Sequence, residues 1–484
     1  MKRPPREKWI FGGVLLAVLV LVFAGTAWGQ VTPPSPQEVK PEAVEEEAPP
    51  PIPPKPEVPE KPAPGAPETP GAFPAAAAPA PQTLGEVGAL LGILAPYGNP
   101  SALDTLMRGW QTHKLDGFRF TPYLEYNGLY RSNIFLTASD KKSDFINVVN
   151  PGLKVEVPLG GLNRISMAYL GNYYLYTQHD DQSHYDSNVN GDLAINFRGG
   201  LSFRVGNTFR AATEERTAIT GRQRDYTRDT PYFLVDYRFS DRWRVQGIYQ
   251  YDILDFRLPV DRFDAYREHV GGPTLYYRFW PKTAAFLQFI TTAREYPSSP
   301  TANNTSQNPY VGLFWDPTAK LTGSVKFGYT FKNYDTSIPG RNNSPQTWSL
   351  SVQTLYRYSR YTQISLTAQR SIQEDLDFGN NAYINSGVFL SIYHEWHYLM
   401  ATTYFAASYS NNDYLNEVPI TVSPGVTKNF LRNDNVVTLG GGIIRPVTRW
   451  LRLRLDYNYA NRGTNVPGLP YNEHRVLFGA QVSY

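Results

Sequence analysis

The chain has 484 residues, no cysteine, a formal net charge of +3 and a mean hydropathy of −0.40, yet it carries 34 Tyr, 25 Phe and 9 Trp. The missing cysteine excludes a disulfide framework, a thiolate metal site, a cysteine nucleophile and a lipid-modified cysteine. Aromatics alternate with Ser, Thr, Asn and Arg instead of massing with Leu, Ile and Val. That excludes an ordinary soluble core of this size and suits a sheet with one apolar and one wet face.

Residues 1–29 have the form of a secretory signal peptide. Lys2, Arg3, Arg6 and Lys8 make a basic end, and Ile10 to Ala24 is an apolar run of 15 residues. A spanning helix needs roughly 20. Ala27-Trp28-Gly29 is a small-x-small cleavage site, which argues against an uncleaved anchor and leaves Gln30 as the mature start. Cleavage removes four basic residues and Glu7, bringing the formal charge from +3 to zero.

Residues 30–82 form a Pro/Ala/Glu-rich periplasmic tether. Of the 40 prolines, 18 fall within 31–82, beside eight Glu, three Lys and a single aromatic, Phe73. Such a stretch cannot bury enough surface to fold and stays extended or coiled. At about 3.1 Å per residue its reach is on the order of 160 Å. It either holds an inner-membrane or cell-wall partner or acts as a passive spacer.

Two short amphipathic helices are expected within 83–116. Thr83 and Glu86 make a capping box ahead of Val87, Leu90, Leu91 and Leu94. Asn99 and Pro100 open a second helix bearing Leu103, Leu106, Met107 and Trp110. These helices plug a lumen, dock a periplasmic partner or pack at the periplasmic mouth.

From 117 to 484 the period is two. Leu201, Phe203, Val205 and Phe209 alternate with Ser202, Arg204, Thr208 and Arg210; Val325, Phe327, Tyr329 and Phe331 with Lys326, Gly328, Thr330 and Lys332; Leu451, Leu453, Leu455 and Tyr457 with Arg452, Arg454, Asp456 and Asn458. Eight tight connections, among them Gly199–Gly200, Ser240–Asp241 and Pro446–Arg449, alternate with longer polar ones such as 297–308, 335–344 and 415–429. Short turns on one side and long loops on the other are the pattern of an antiparallel up-and-down transmembrane barrel. The expected fold is thus an all-β barrel of about 18 strands, preceded by the tether and the two helices. Val476, Phe478, Ala480, Val482 and Tyr484 form one face of the last strand. Phe478, Val482 and the terminal Tyr484 read as the signal by which assembly machinery recognises a barrel.

The opening hairpin carries Pro122-Tyr123-Leu124 and Tyr130-Arg131-Ser132-Asn133-Ile134-Phe135, followed by Ser143-Asp144-Phe145-Ile146 and Pro151-Gly152-Leu153. Through these residues the region 118–484 resembles the outer-membrane β-barrel porin family often encoded in bacterial exopolysaccharide and capsule clusters. The resemblance implies an outer-membrane channel, with polymer export as its role, and supplies no catalytic residue.

No constellation for catalysis stands out. His394-Glu395-x-His397 lacks the helical i, i+4 spacing of a zinc peptidase. His179-Asp180-Asp181 and His184 sit together in one outer loop, and Gly440-Gly441-Gly442 has no Lys-Ser/Thr or helix to make it a phosphate loop. No catalytic residue, metal or cofactor is expected. The chemistry is expected in the lumen instead, on the polar parity: Arg204, Arg210, Arg242, Arg244, Arg278, Lys326, Lys332, Arg357, Arg452 and Arg454, with Asp192 and Asp236. Unpaired, the arginines favour anions; paired across strands with carboxylates, they brace the wall. Tyr174, Tyr232, Tyr276 and Tyr310 share that parity and would either stack on sugar rings or belong to the interfacial girdle.

Two functions compete: a terminal porin for export of an exopolysaccharide or capsule polymer, and a general or solute-specific diffusion porin. The expected partners are outer-membrane lipid and lipopolysaccharide, the barrel-assembly machinery, and periplasmic or inner-membrane export proteins. Nucleic acid is not among them.

Overall fold

The computed structural model describes residues 113–115, 117–216, 220–315, 320–374, 382–423 and 426–482. The expected signal segment, tether and helices up to residue 112, together with Tyr484, lie outside the described residues. At the end of the stretch expected to be helical, His113–Leu115 is a strand paired with Phe118–Phe120 across a tight turn at Gly117.

Beyond that short strand, eighteen antiparallel strands run from Phe118–Arg131 to Tyr471–Val482, each bonded to its neighbours along the chain. The ring closes where the first pairs with the last, from Leu124↔Val482 to Arg131↔Arg475. The barrel is therefore closed, without a free sheet edge among these strands, as a membrane span requires. Strands of 12 to 17 residues exceed the roughly 9–11 needed to cross the apolar layer, so their ends project beyond it.

Turn chemistry sets the two ends apart. Gly160 and Asn163 are joined through two residues, and Gly199 and Gly200 both take positive φ (93° and 85°), which side chains with a Cβ rarely adopt. At the other end the connections are long and hold short 3-10 turns at Asp180–Gln182, Pro259–Asp264 and Pro300–Ala302. The polar loop expected at 415–429 contains a hairpin of its own, Val418–Ser423 with Val426–Phe430. Its β-branched run, Val418, Ile420, Thr421 and Val422, favours strand pairing that a reading based on polarity overlooks.

Alternation then sorts side chains into two faces. Leu275, Leu287, Val311 and Phe327 lie exposed on the outer face in neighbouring strands, where lipid covers them. Phe239, Trp243, Trp280, Tyr358 and Trp450 stand outward beside the tight turns, and Tyr130, Phe145, Tyr173, Tyr409 and Tyr457 toward the long loops. Two aromatic girdles flanking an apolar band are the mark of an outer-membrane barrel. Leu287 is 62% exposed near the middle of its strand. Leu287→Arg is expected to destabilise the barrel by roughly 2–4 kcal/mol, measured by urea titration in lipid vesicles. A midpoint equal to that of the native protein would remove Leu287 from the lipid face.

Candidate functional site: the inner wall of the barrel

The opposite parity builds a polar inner wall. Lys326 Nζ donates to Gln288 Oε1 at 2.9 Å, and Lys332 pairs with Glu374, each reaching past an intervening strand. Only the concave side of a ring brings side chains two strands apart within reach. These pairs therefore mark the lumen face.

At the tight-turn end, Arg204 lies 3.6 Å from Asp192 and Arg244 lies 3.5 Å from Asp236. The Arg244 guanidinium also covers the Tyr276 ring at 3.9 Å from its centroid. Around this anchor, Arg238, Arg242, Arg278 and Lys282 line a hollow bounded by Phe314. Arg242, expected on a lumen strand, sits instead in the turn before Trp243 with its side chain exposed at the rim. Its separation of two from Arg244 gave it the lumen parity, but the strand starts one residue later. Arg278, Arg357 and Arg452 are half-buried on the inner parity. Arg454 pairs with Asp456, which also accepts a hydrogen bond from Tyr404 Oη at 2.6 Å. Gly442 lies directly beneath them, and a Cβ there would fall 2.0 Å from Asp456 Oδ1. Close packing is thus what the glycine run serves at this position.

Farther along the wall, Arg210 faces the Tyr226 ring at 5.6 Å and the Lys326 ammonium lies 4.4 Å from the Tyr310 centroid. The inward tyrosines are largely engaged. Tyr276 is 5% exposed under Arg244, and Tyr174 stacks on His184 at 4.5 Å. Their parity is that of the lumen, not of the girdle, and their ring faces are occupied by neighbours rather than offered to sugars.

The long-loop end holds a cluster that chain order does not reveal. Arg131, 2% exposed, donates from Nε to Glu473 Oε1 at 2.6 Å and from Nη1 to Glu215 Oε2 at 2.5 Å. Arg475 donates to the other Glu473 oxygen at 2.7 Å, and Tyr176 Oη to Glu215 at 3.3 Å. Glu215 follows the strand Leu201–Glu214, so the loop turns inward across three strands to reach Arg131. Burial pushes the Glu215 carboxyl up, but Arg131 and Arg475 outweigh it and hold it at about 2. Further pairs continue around the rim: Arg224 with Glu214 and Asp264, Arg228 with Asp252, Arg294 with Glu268, and Arg432 and Arg462 on Asp434.

Residues Asn133-Ile134-Phe135, which carry the family resemblance, have a structural part here. Asn133 Nδ2 donates to the Thr137 carbonyl at 2.8 Å, closing a turn that drops Ile134 onto Ile146, Val148 and Tyr176. Phe135 lies edge-on to His179 and under the Arg216 guanidinium at 4.5 Å. One motif thereby binds three loops together over the mouth.

The histidines are placed as wall and loop residues. His394 Nδ1 bonds Thr362 Oγ1 at 2.9 Å at a strand end, and His397 lies in the following turn. His179 contacts Asp144 at 2.9 Å, and His184 Nδ1 lies 2.8 Å from the Gln182 carbonyl. Among the described residues no three His, Asp or Glu converge on a metal position. Phe478 and Val482 point outward, 52% and 40% exposed.

A closed eighteen-stranded barrel with an apolar girdled exterior and a charged interior is an outer-membrane channel. The chain belongs to the family described as Putative beta-barrel porin 2, whose model matches residues 113–484. No curated protein matches it. Among solved structures it is similar to a bacterial polysaccharide outer membrane secretin at 10% identity and TM-score 0.33, covering 75% of this chain and 98% of the other. It is also similar to OpdK from Pseudomonas aeruginosa crystallised with vanillate, at 12% identity and TM-score 0.42 (77% and 100% covered). A third, the siderophore receptor PirA from Acinetobacter baumannii, stands at 9% identity and TM-score 0.41 (75% and 80% covered).

Proposed function

We propose that this channel is the terminal outer-membrane porin for export of an exopolysaccharide or capsule polymer in a Gram-negative bacterium, delivered by the cleaved signal at 1–29. The observation that carries this reading is where the N-terminal extension leaves the barrel. Phe118 begins its strand, and Val482 ends the last, at the tight-turn end, the periplasmic side in barrels of this kind. After cleavage, 88 residues (30–117), 20 prolines among them, therefore precede the barrel from its periplasmic mouth. A stand-alone diffusion pore has no use for a tether on the order of 160 Å long, whereas a channel fed by periplasmic and inner-membrane export proteins does. Lipopolysaccharide around the outer girdle and the assembly machinery at the last strand complete the expected partners.

Deleting residues 31–82 is expected to leave the barrel folded, since the segment adds no core, and to lower surface polymer severalfold. Heat-modifiable mobility of the barrel and anti-glycan labelling of intact cells measure the two. Normal surface polymer in that strain, with impaired uptake of a small solute in the full deletion, would favour the diffusion porin instead.

A further inference from the structure

The outer face carries the same small cluster twice. Tyr249 and Tyr457 are each the seventh residue of a strand rising to the long loops, in Trp243–Phe256 and Leu451–Thr464. In each case a histidine on the next strand, His269 or His474, lies with Nδ1 2.8 Å from the tyrosine hydroxyl. A second tyrosine two residues on, Tyr251 or Tyr459, packs on the same imidazole, with ring centroids 4.5 Å and 5.0 Å apart. Both histidines are exposed, and each is the fourth residue of its strand, which places them in the girdle at the long-loop end. A hydroxyl donating to Nδ1 leaves the ring proton on Nε2. Among the described residues neither Nε2 has a hydrogen-bond partner.

The two copies differ in the cation above them. Beside His269, Arg267 is committed to the Asp255 carboxylate at 2.8 Å. Beside His474 the cation is Lys141, which is exposed and donates from Nζ to the uncharged Asn472 Oδ1 at 2.5 Å. Asn472 and His474 are two apart on one strand and share its outer face. The acids nearby are answered by other groups: Asp140 by Lys142 at 2.8 Å, and Glu473, on the inner face, by Arg131 at 2.6 Å. Below the histidine, Val476, Phe478 and Leu455 lie exposed in the apolar band. From the loop end downward the surface thus presents an ammonium, an imidazole N–H and then bare hydrocarbon. A phosphorylated lipid standing in the outer leaflet has its parts in the same order.

We propose that Lys141 and His474, with Asn472 positioning the lysine, bind a phosphate of lipid A whose acyl chains lie along Val476 and Phe478. The inference deepens the expected contact of lipopolysaccharide with the outer girdle. It rests on the outer-membrane placement of the barrel and not on what the lumen carries. Hydrogen bonds to an ionised phosphate are stronger than those between neutral groups, so two such donors at one depth suit a phosphate better than a neutral headgroup. The site also lies where the ring closes. Ser132 Oγ accepts from the His474 N–H at 2.8 Å, and the Ser132 N–H donates to the His474 carbonyl at 3.0 Å. A lipid held there braces the junction of first and last strands, which no connecting loop joins.

The test is native mass spectrometry of the full-length protein in detergent, equilibrated with diphosphoryl lipid A or with phosphatidylglycerol. Lipid A is expected to stay bound through detergent washing that removes phosphatidylglycerol. Lys141→Gln should lower the retained lipid A about fivefold, the scale for one cation at a membrane surface, and Lys141→Arg should restore it. His474→Phe, which keeps a ring against Tyr459, should lower it by a smaller factor. His269→Phe, at the matched cluster whose cation is already paired, should change little. Heat-modifiable mobility checks that each variant is folded. Equal retention of phosphatidylglycerol, unchanged retention in folded Lys141→Gln, or a loss in His269→Phe equal to that in His474→Phe would each overturn the site. None of these outcomes touches surface polymer in the tether-deletion strain, so failure of the lipid site and failure of the export role are read separately.

Discussion

Arg131→Met is expected to destabilise the barrel by about 3–5 kcal/mol, the scale for removing one partner from a buried ion pair. Arg131 is 2% exposed and Glu473 is fully buried, so the substitution leaves a carboxylate in the wall with only Arg475 to answer it. Glu215 loses its anchor at the same time, and the loop after Leu201–Glu214 loses the contact that holds it across the mouth. Urea titration of the heat-modifiable species should show the lowered midpoint. The double change Arg131→Met/Glu473→Leu should regain much of the loss, because replacing both members of a buried pair by apolar groups is often close to neutral. An unchanged midpoint for Arg131→Met would mean that the pair adds nothing to the fold.

Acid extends the same argument. The Glu215 carboxyl is lowered in the folded protein from an ordinary 4.5 to about 2. A lowered carboxylate contributes stability that is present above its unfolded value and lost as pH falls through the folded one. The loop contact should therefore hold at pH 5, weaken below 4.5 and disappear near pH 2. Glu215→Gln should flatten that part of the stability profile and leave the profile above pH 5 alone.

The second large effect is on ion selectivity. The native channel is expected to favour anions in planar bilayers, and Arg242→Glu/Arg278→Glu/Arg452→Glu to reverse the preference, since rings of charge set selectivity in such pores. Each substitution swings the local charge by two units, all three at the tight-turn end. Arg244 and Arg454 are left in place because they answer buried Asp236 and Asp456, and a carboxylate there would sit against another carboxylate. Reversal potentials under a salt gradient, with folding checked by heat-modifiable mobility, decide the point. If the folded variant keeps native selectivity, the excess charge does not face the ion path.

Much of this was legible in the chain. The period of two was plain at 201–210, 321–332 and 450–458 and faded around 382–414 and 430–445, while the alternation of short and long connections yielded eighteen and told the two ends apart. Of the residues placed on the polar parity, Arg204, Arg244 and Arg454 each lie beside a carboxylate and Lys326 beside Gln288. The polar-parity reading put Arg242 on the strand, whereas it stands in the turn one residue before Trp243, at the rim of the hollow that Arg244 also lines. It also overstated how freely the wall offers charge. Asp192, Asp236, Asp252, Asp316 and Asp456 looked too few to neutralise the arginines, but the count of partners omitted Glu268, Glu374, Asp434 and Glu473, which meet Arg294, Lys332, Arg462 and Arg131 across strands.

The sequence by itself determined which face of each strand meets lipid, because facing depends on a local alternation that a strand cannot evade. It likewise determined the order of strands, since hairpins join neighbours. Only the closed ring decided that Arg131 meets Glu473, 342 positions away, and that Glu215 reaches inward to both Arg131 and Tyr176. Those contacts depend on closure bringing the first strand to the last and on the concavity that lets alternate strands touch. Neither property resides in any short stretch of residues, so the charged rim, the loop fold over the mouth and the basic hollow opposite were matters for the tertiary structure alone.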